Sequence, residues 1–175
     1  MSIFSVVFQD FSLFAVPLSQ NVSTSIDYDK EKLWQCLEEA GIADRVKEFD
    51  KKEETVLYKK LDDSGVEISG GEAQKIAIAR ALYRDAPFVV LDEPTAALDP
   101  ISEFEIYSRF NGFTKGKTAI YISHRLSSCR FCDKIMVFDK GQIVQFGSHD
   151  ELLSDENGKY YRLWTSQAKY YVSQV

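Results

Sequence analysis

Phe88-Val89-Val90-Leu91-Asp92-Glu93-Pro94 is the stretch that decides the fold. Its four apolar residues include one aromatic and two β-branched side chains, which suits a short strand buried on both faces of a parallel sheet. Two acids follow where the strand emerges. In a nucleotide hydrolase such a pair lets the first carboxylate hold Mg²⁺ while the second polarises an attacking water. An acidic turn after an ordinary strand has the same form, and on this segment alone the two readings are level.

The flanking segments alternate between strand and helix, which argues for an α/β domain with a largely parallel sheet. Upstream, Ser69-Gly70-Gly71-Glu72 has the Ser-x-x-Glu form of a capping box and leads into Ala73–Arg84, rich in helix formers. Its small residues and open backbone amides suit an anion such as a phosphate; a plain cap would need neither glycine. Ile3–Gln9 reads as a strand entering a loop at Gln9–Ser12, and Pro17 with the polar Ser19–Ser25 reads as an interruption. Asp29–Ala40 reads as an amphipathic helix with Leu33, Cys36 and Leu37 on one face and Gly41 as its stop. The charged segment Ala43–Leu61 reads as short helices in a surface subdomain.

Downstream, Asp99-Pro100 opens a helix that Gly112 closes, and Thr118–Ser123 is a second buried strand. That strand ends in Tyr121-Ile122-Ser123-His124-Arg125, placing an imidazole where a γ-phosphate oxygen is within reach. Lys134–Phe138 and Gln142–Phe146 pair about Lys140-Gly141, and Ser148–Glu151 offers another capping box. From Gly158 to Ser173 the residues Tyr160, Trp164, Ala168 and Tyr171 recur at helical spacing, a stripe that is usually core.

Composition narrows the function. The chain has 175 residues, enough for one domain, with 27% charged and 45% hydrophobic side chains, so wholesale disorder is excluded. Its 21 basic against 27 acidic residues give a net charge of −6, which disfavours nucleic acid as a partner. No apolar run approaches the ~20 residues of a membrane-spanning helix, and Met1–Asp10 lacks the form of a secretory signal. Three cysteines cannot all pair, which points to a reducing, intracellular setting. Cys129-Arg130-Phe131-Cys132 has neither the setting of a redox motif nor a second ligand pair, and reads as small buried helix positions. The run from Gly112 to Thr118 imitates a phosphate loop, but three residues separate its glycines and a helix precedes it; it reads as a turn.

In order, these segments resemble the nucleotide-binding domain of ATP-binding cassette (ABC) transporters, over nearly the whole chain. Phe8-Gln9-Asp10 looks like the Q-loop, and Ile68-Ser69-Gly70-Gly71-Glu72 is similar to the signature usually written LSGGQ. Phe88–Glu93 looks like Walker B, Ala97-Leu98-Asp99 like the D-loop, and His124 like the switch histidine. Gly147-Ser148-His149-Asp150-Glu151-Leu152 resembles the segment after the last hairpin of the catalytic core. The phenylalanines after Gln9, with Asn21-Val22, look like exporter-type cassettes.

The resemblance implies a partial P-loop NTPase-type sheet flanked by helices, in which residues of about 13–85 form a helical subdomain carrying the signature while 1–12 and 86–175 belong to the catalytic core. It implies ATP and Mg²⁺ as ligands, Asp92 and Gln9 at the metal, Glu93 as general base, and Gln9 and His124 as sensors of water and γ-phosphate. Ser69, Gly70, Gly71 and Glu72 would meet ATP across a head-to-tail pair of cassettes, and Asp99 would couple the two sites. Phe11 and Phe14 would sit where the cytoplasmic loops of an exporter's transmembrane domains dock, at the inner face of the membrane.

The signature departs from the common form at Ile68 and Glu72, and no G-x-x-x-x-G-K-[S/T] loop occurs in the sequence. The expectation is therefore a cassette without its front third, which does not turn over ATP alone, exposes apolar sheet faces and unpaired edges, and is prone to aggregate. Two alternatives stand beside it: a non-enzymatic module that pairs with an intact cassette and regulates it, and a cassette acting on nucleic acid or ribosomes, which the acidic composition disfavours.

Overall fold

The computed structural model describes residues 3–59, 63–114 and 116–172. Of the positions named above, Met1, Leu61 and Ser173 lie outside them, as do residue 115 within the run from Gly112 to Thr118 and the side chains of Ala168 and Tyr171. The chain divides into two compact units, Met1–Ile122 and Ser123–Val175. Among the described residues, no helix is long and apolar enough to cross a membrane.

The first unit is an α/β layer. Its strands are β1 (Phe4–Val7), β2 (Phe88–Asp92) and β3 (Thr118–Ile122), all parallel and ordered β1-β2-β3. The register sets Val7 beside Leu91 and Leu91 beside Tyr121. Its helices are α1 (Leu18–Ser23), α2 (Lys30–Glu39), α3 (Ala43–Lys47), α4 (Gly70–Arg84) and α5 (Pro100–Phe113).

α4 is the spine of this unit. Ser69 and Glu72 form the reciprocal capping box that the sequence announces, so the first turn needs no tertiary help to start. Beyond it Ala73, Ile76, Ala77, Ile78, Ala79 and Ala81 are buried, and the small alanines let α1, α2 and β1 pack close against the helix. Ser5 on β1 donates its hydroxyl to the Ala81 carbonyl, satisfying a buried polar group on the covered face of the sheet. α2 starts at Asp29, whose carboxylate accepts from the Lys32 amide. Its Leu33, Cys36 and Leu37 are buried, and Gly41 at φ 70 supplies the left-handed turn that stops it.

Three expectations are corrected here. Ser19–Ser25 is not an interruption: Leu18–Ser23 is helical, with Pro17 just ahead of it at φ −49. Proline tolerates that position because first-turn amides have no intrahelical acceptor. β2 and β3 are not buried on both faces. Leu91 is 2% exposed, but Phe88 is 40%, Ile120 46% and Ile122 50% exposed, with Phe4 and Val6 on the same side. Helices cover one face of this sheet and leave the other apolar and open, as the expectation of exposed sheet faces requires. α5 also runs one residue past Gly112.

The second unit is built on an antiparallel hairpin of β4 (Ile135–Asp139) and β5 (Gln142–Gly147), followed by α6 (His149–Ser154) and α7 (Lys159–Val172). Lys140 at φ 48 and Gly141 at φ 78 make the two-residue turn whose twist matches antiparallel strands. Val137, Leu152 and Tyr160 form the core, with Trp164 packed on it, as the stripe on α7 predicts. Cys129 and Cys132 lie on a short 3₁₀ turn, Leu126–Phe131 and its following residue, and are half-buried rather than buried.

Candidate functional site

Three of the nominated residues meet at the carboxyl edge of the parallel sheet, where α/β proteins bind ligands. Because Val7 is level with Leu91, the turn at Gln9 and the acids Asp92-Glu93 leave the sheet on the same side. Gln9 is exposed; Asp92, the last residue of β2, is half-buried and paired in register with Ile122. Glu93 takes φ 46, a left-handed conformation that costs a non-glycine residue about 1–3 kcal/mol and collects at functional sites. Its amide donates to the Ile122 carbonyl at 2.9 Å, and its own carbonyl accepts from the Ala96 amide at 3.1 Å and the Gln74 side chain at 3.1 Å. The tight turn therefore rests on both neighbours, β3 and α4.

Beside it stands the glycine-led start of α4. The Ser69 hydroxyl accepts from the Glu72 amide at 3.2 Å. Gly70 and Gly71 belong to the first turn, where amides have no intrahelical acceptor. A Cβ added at Gly71 would lie 3.3 Å from Leu98 Cδ2 and 3.5 Å from the Ala97 carbonyl oxygen, so the helix start and the segment Ala97-Leu98-Asp99 form one packed surface. Asp99 is exposed and caps α5, its Oδ1 accepting from the Ile101 and Ser102 amides at 3.0 and 3.1 Å. Bonds from the Ser102 side chain and amide hold its carboxyl below the ordinary value.

Glu72 does not point its charge freely at this surface. One oxygen accepts from the Ser69 amide at 2.7 Å and the other from Arg45 Nε at 2.8 Å. Burial pushes this carboxyl up, but the Ser69 amide and side chain together with the Arg45 guanidinium outweigh it and hold the group below 4.5. A depressed pKa means that the ionised form stabilises the cap fully above pH 4.5 and that this support is lost as the pH falls through the folded-state value. The Ser69 amide resonance is thus expected to titrate with a midpoint below 4.5, and Arg45→Ala to move that midpoint upward. A wild-type midpoint at or above 4.5 would contradict the arrangement.

Sequence reasoning missed several participants. Arg80 on α4 donates to the Asn21 carbonyl at 2.7 Å and the Ser12 carbonyl at 3.2 Å, pinning the segment that follows Gln9. Asn21 holds the Phe14 amide and carbonyl at 2.9 and 3.0 Å, while the Phe14 side chain is 64% exposed. Behind the acids, buried Thr95 bonds Glu103 at 3.2 Å and Tyr107 at 2.8 Å, and Tyr107 bonds Tyr121 on β3. For Arg80 the only signal was a polar residue at a position whose helical spacing faces a core.

His124 belongs to the second unit, where it is exposed and its carbonyl accepts from the Gln167 side chain at 2.7 Å. Burial pushes the Cys129 thiol up to about 11 and raises Cys132 as well, the opposite of what a reactive thiolate needs.

Among the described residues no group of three or more His, Cys, Asp and Glu converges as a metal cage. Asp92 and Gln9 nonetheless present hard oxygen donors on one edge, which suits Mg²⁺, an ion usually held by one or two carboxylates together with water and substrate phosphates.

A parallel sheet with acids at its carboxyl edge and a capped, glycine-led helix beside them is a P-loop NTPase-like α/β fold. The sequence profile of the ABC transporter family matches residues 2–96. The ATP-dependent lipid A-core flippase of Paraburkholderia xenovorans is 40% identical over 159 residues, which is 91% of this chain and 26% of the flippase. The subtilin transport ATP-binding protein SpaT of Bacillus subtilis is 39% identical over 87% of the chain and 25% of its own length. The solved structure of a bacterial Atm1-family ABC exporter with ATP bound superposes with a TM-score of 0.84 at 32% identity, covering 95% of this chain and 29% of that one. The chain belongs to the ABC transporter family and is nucleotide-binding-domain sequence of the exporter type. It spans about a quarter of the length of these curated relatives.

Proposed function

We propose that this chain supplies the water-activating and trans-acting parts of an exporter's ATP-hydrolysing cassette, which couples ATP hydrolysis to transmembrane transport. The observation that carries the reading is the packed surface formed by Ser69-Gly70-Gly71 and Ala97-Leu98-Asp99, one helix turn from the strained turn at Glu93.

In this reading Asp92 holds Mg²⁺ with help from Gln9, and the ion when bound neutralises charge on the phosphates. Glu93 accepts the proton of the attacking water, Gln9 orients that water or the metal, and His124 bonds a γ-phosphate oxygen. Ser69, Gly70 and Gly71 bind the ATP of a second cassette in a head-to-tail dimer, with Glu72 and its Arg45 partner keeping the helix start in shape. Asp99 sits where the two sites communicate. Residues of about 13–85 act as a helical subdomain, with 1–12 and 86–175 in the catalytic core. Phe14, exposed on a backbone pinned by Asn21, meets the transmembrane domains at the cytoplasmic face of the membrane.

The open apolar face of the β1-β2-β3 sheet and the lack of a phosphate loop in this sequence support a further point: the strand, loop and lysine that grip ATP come from other residues than these. Alone, Asp92 and Glu93 face an anion with like charge. The complete signature surface also favours the second reading, a module that pairs with an intact cassette and regulates it.

The test is a chimera in which this chain replaces the matching segment of the lipid A-core flippase. ATP hydrolysis within about tenfold of the parent is expected, because every part that this chain supplies in the reading is present. A folded chimera that binds ATP but does not hydrolyse it contradicts the reading. In that case, a changed ATPase rate on mixing the chain with an intact cassette supports the regulatory one.

A further inference from the structure

Gln74 is 2% exposed, on a turn of α4 whose neighbours Ala73, Ile76, Ala77 and Ile78 are all buried. A carboxamide there destabilises the helix unless both of its ends find partners. Both do, and neither partner lies in α4. Nε2 donates to the Glu93 carbonyl at 3.1 Å, and Oε1 accepts from the Ala97 amide at 2.9 Å. The flipped amide would set oxygen against oxygen and N–H against N–H, so the two partners fix its orientation.

One side chain thus bridges three pieces: the helix that begins at Ser69, the left-handed turn at Glu93, and the segment leading to Asp99. The contact is reinforced one turn earlier, where Gly70 and Gly71 leave room for Ala97 and Leu98. A shift of the helix start along its axis would have to break both Gln74 bonds or carry the turn with it.

We infer that Gln74 is a positioning residue: it locks the Glu93 turn and the Ala97–Asp99 segment to the signature helix, so that a displacement of the helix reaches the general base and the dimer contact together. The roles of Glu93 and Asp99 rest on the proposed function; the link itself does not.

Amide hydrogen exchange by NMR on the full chain tests the link, with Ala97 as the sensor because its side chain is exposed and its amide bonds Gln74. Gln74→Met keeps the volume and removes both bonds. The Ala97 amide is expected to exchange about tenfold faster, while α4 amides from Ile76 to Ala81 stay unchanged. Gln74→Glu keeps the acceptor for Ala97 but sets a carboxylate against the Glu93 carbonyl. Ala97 should then stay protected while Ala96, whose acceptor is that carbonyl, exchanges faster. Unchanged Ala97 exchange in Gln74→Met, or equal loosening of α4 and Ala97, would overturn the inference.

In the flippase chimera, Gln74→Met should lower kcat about tenfold and leave KM within about twofold, a split that a packing defect would not produce. An unchanged kcat beside the expected exchange pattern would show a bond that positions nothing, and would also overturn the inference. An inactive unsubstituted chimera counts against the proposed function instead, and leaves the exchange pattern to decide the link.

Discussion

Glu93→Gln in the flippase chimera is expected to lower kcat by about 10²–10⁴-fold with little change in KM, the range that a general base contributes. The carboxamide has nearly the shape of the carboxylate but does not accept a proton at neutral pH. Backbone bonds, which the substitution leaves in place, brace the turn: the Glu93 amide reaches Ile122, and its carbonyl takes Ala96 and Gln74. The variant therefore removes chemistry and keeps geometry. It should bind ATP as the parent chimera does and accumulate the bound, unhydrolysed state. Retention of more than about a tenth of the rate would show that another group takes the proton. Asp92→Asn makes the contrast: loss of a metal ligand should shift the Mg²⁺ concentration needed for activity, which Glu93→Gln should not.

The parts of this fold that were legible in the sequence are those that local chemistry decides. The capping boxes at Ser69–Glu72 and Ser148–Glu151 and the Asp99 cap all stand where the side-chain spacing set them. The turn at Lys140-Gly141 needs two left-handed residues and has them. What failed was decided at a distance. α1 is held by Asn21 reaching Phe14 and by Arg80 reaching Asn21, bonds that span 7 and 59 residues. No reading of a polar heptapeptide anticipates them. The run Phe88–Leu91 correctly marks a strand apolar on both sides, but side-chain polarity states only what a face prefers, not whether a cover lies on it.

The candidate site divides in the same way. Asp92, Glu93, Ser69 and Asp99 were legible because they sit at element ends, where special residue types are needed. Gln74, Arg45 and Thr95 were not. Gln74 and Arg45 act through partners at least nineteen residues away in sequence, and a glutamine among helix formers looks like helix propensity. Thr95 differs only in part, since its partners Glu103 and Tyr107 lie on the next helix. The left-handed φ at Glu93 has no sequence signal either, because glutamate is not a residue that prefers it.

The second large effect is a loss that exists from the start. Affinity for a nucleoside triphosphate comes mainly from a nest of backbone amides and a lysine around the β- and γ-phosphates. These residues provide neither, and offer instead two adjacent carboxylates on one sheet edge and a helix start that, in the proposed reading, acts on a second cassette's nucleotide. The chain should therefore recognise ATP only in company. Calorimetric titration of the chain alone with MgATP measures this directly. The account predicts no saturable heat up to about 1 mM nucleotide; a dissociation constant in the low micromolar range would contradict it.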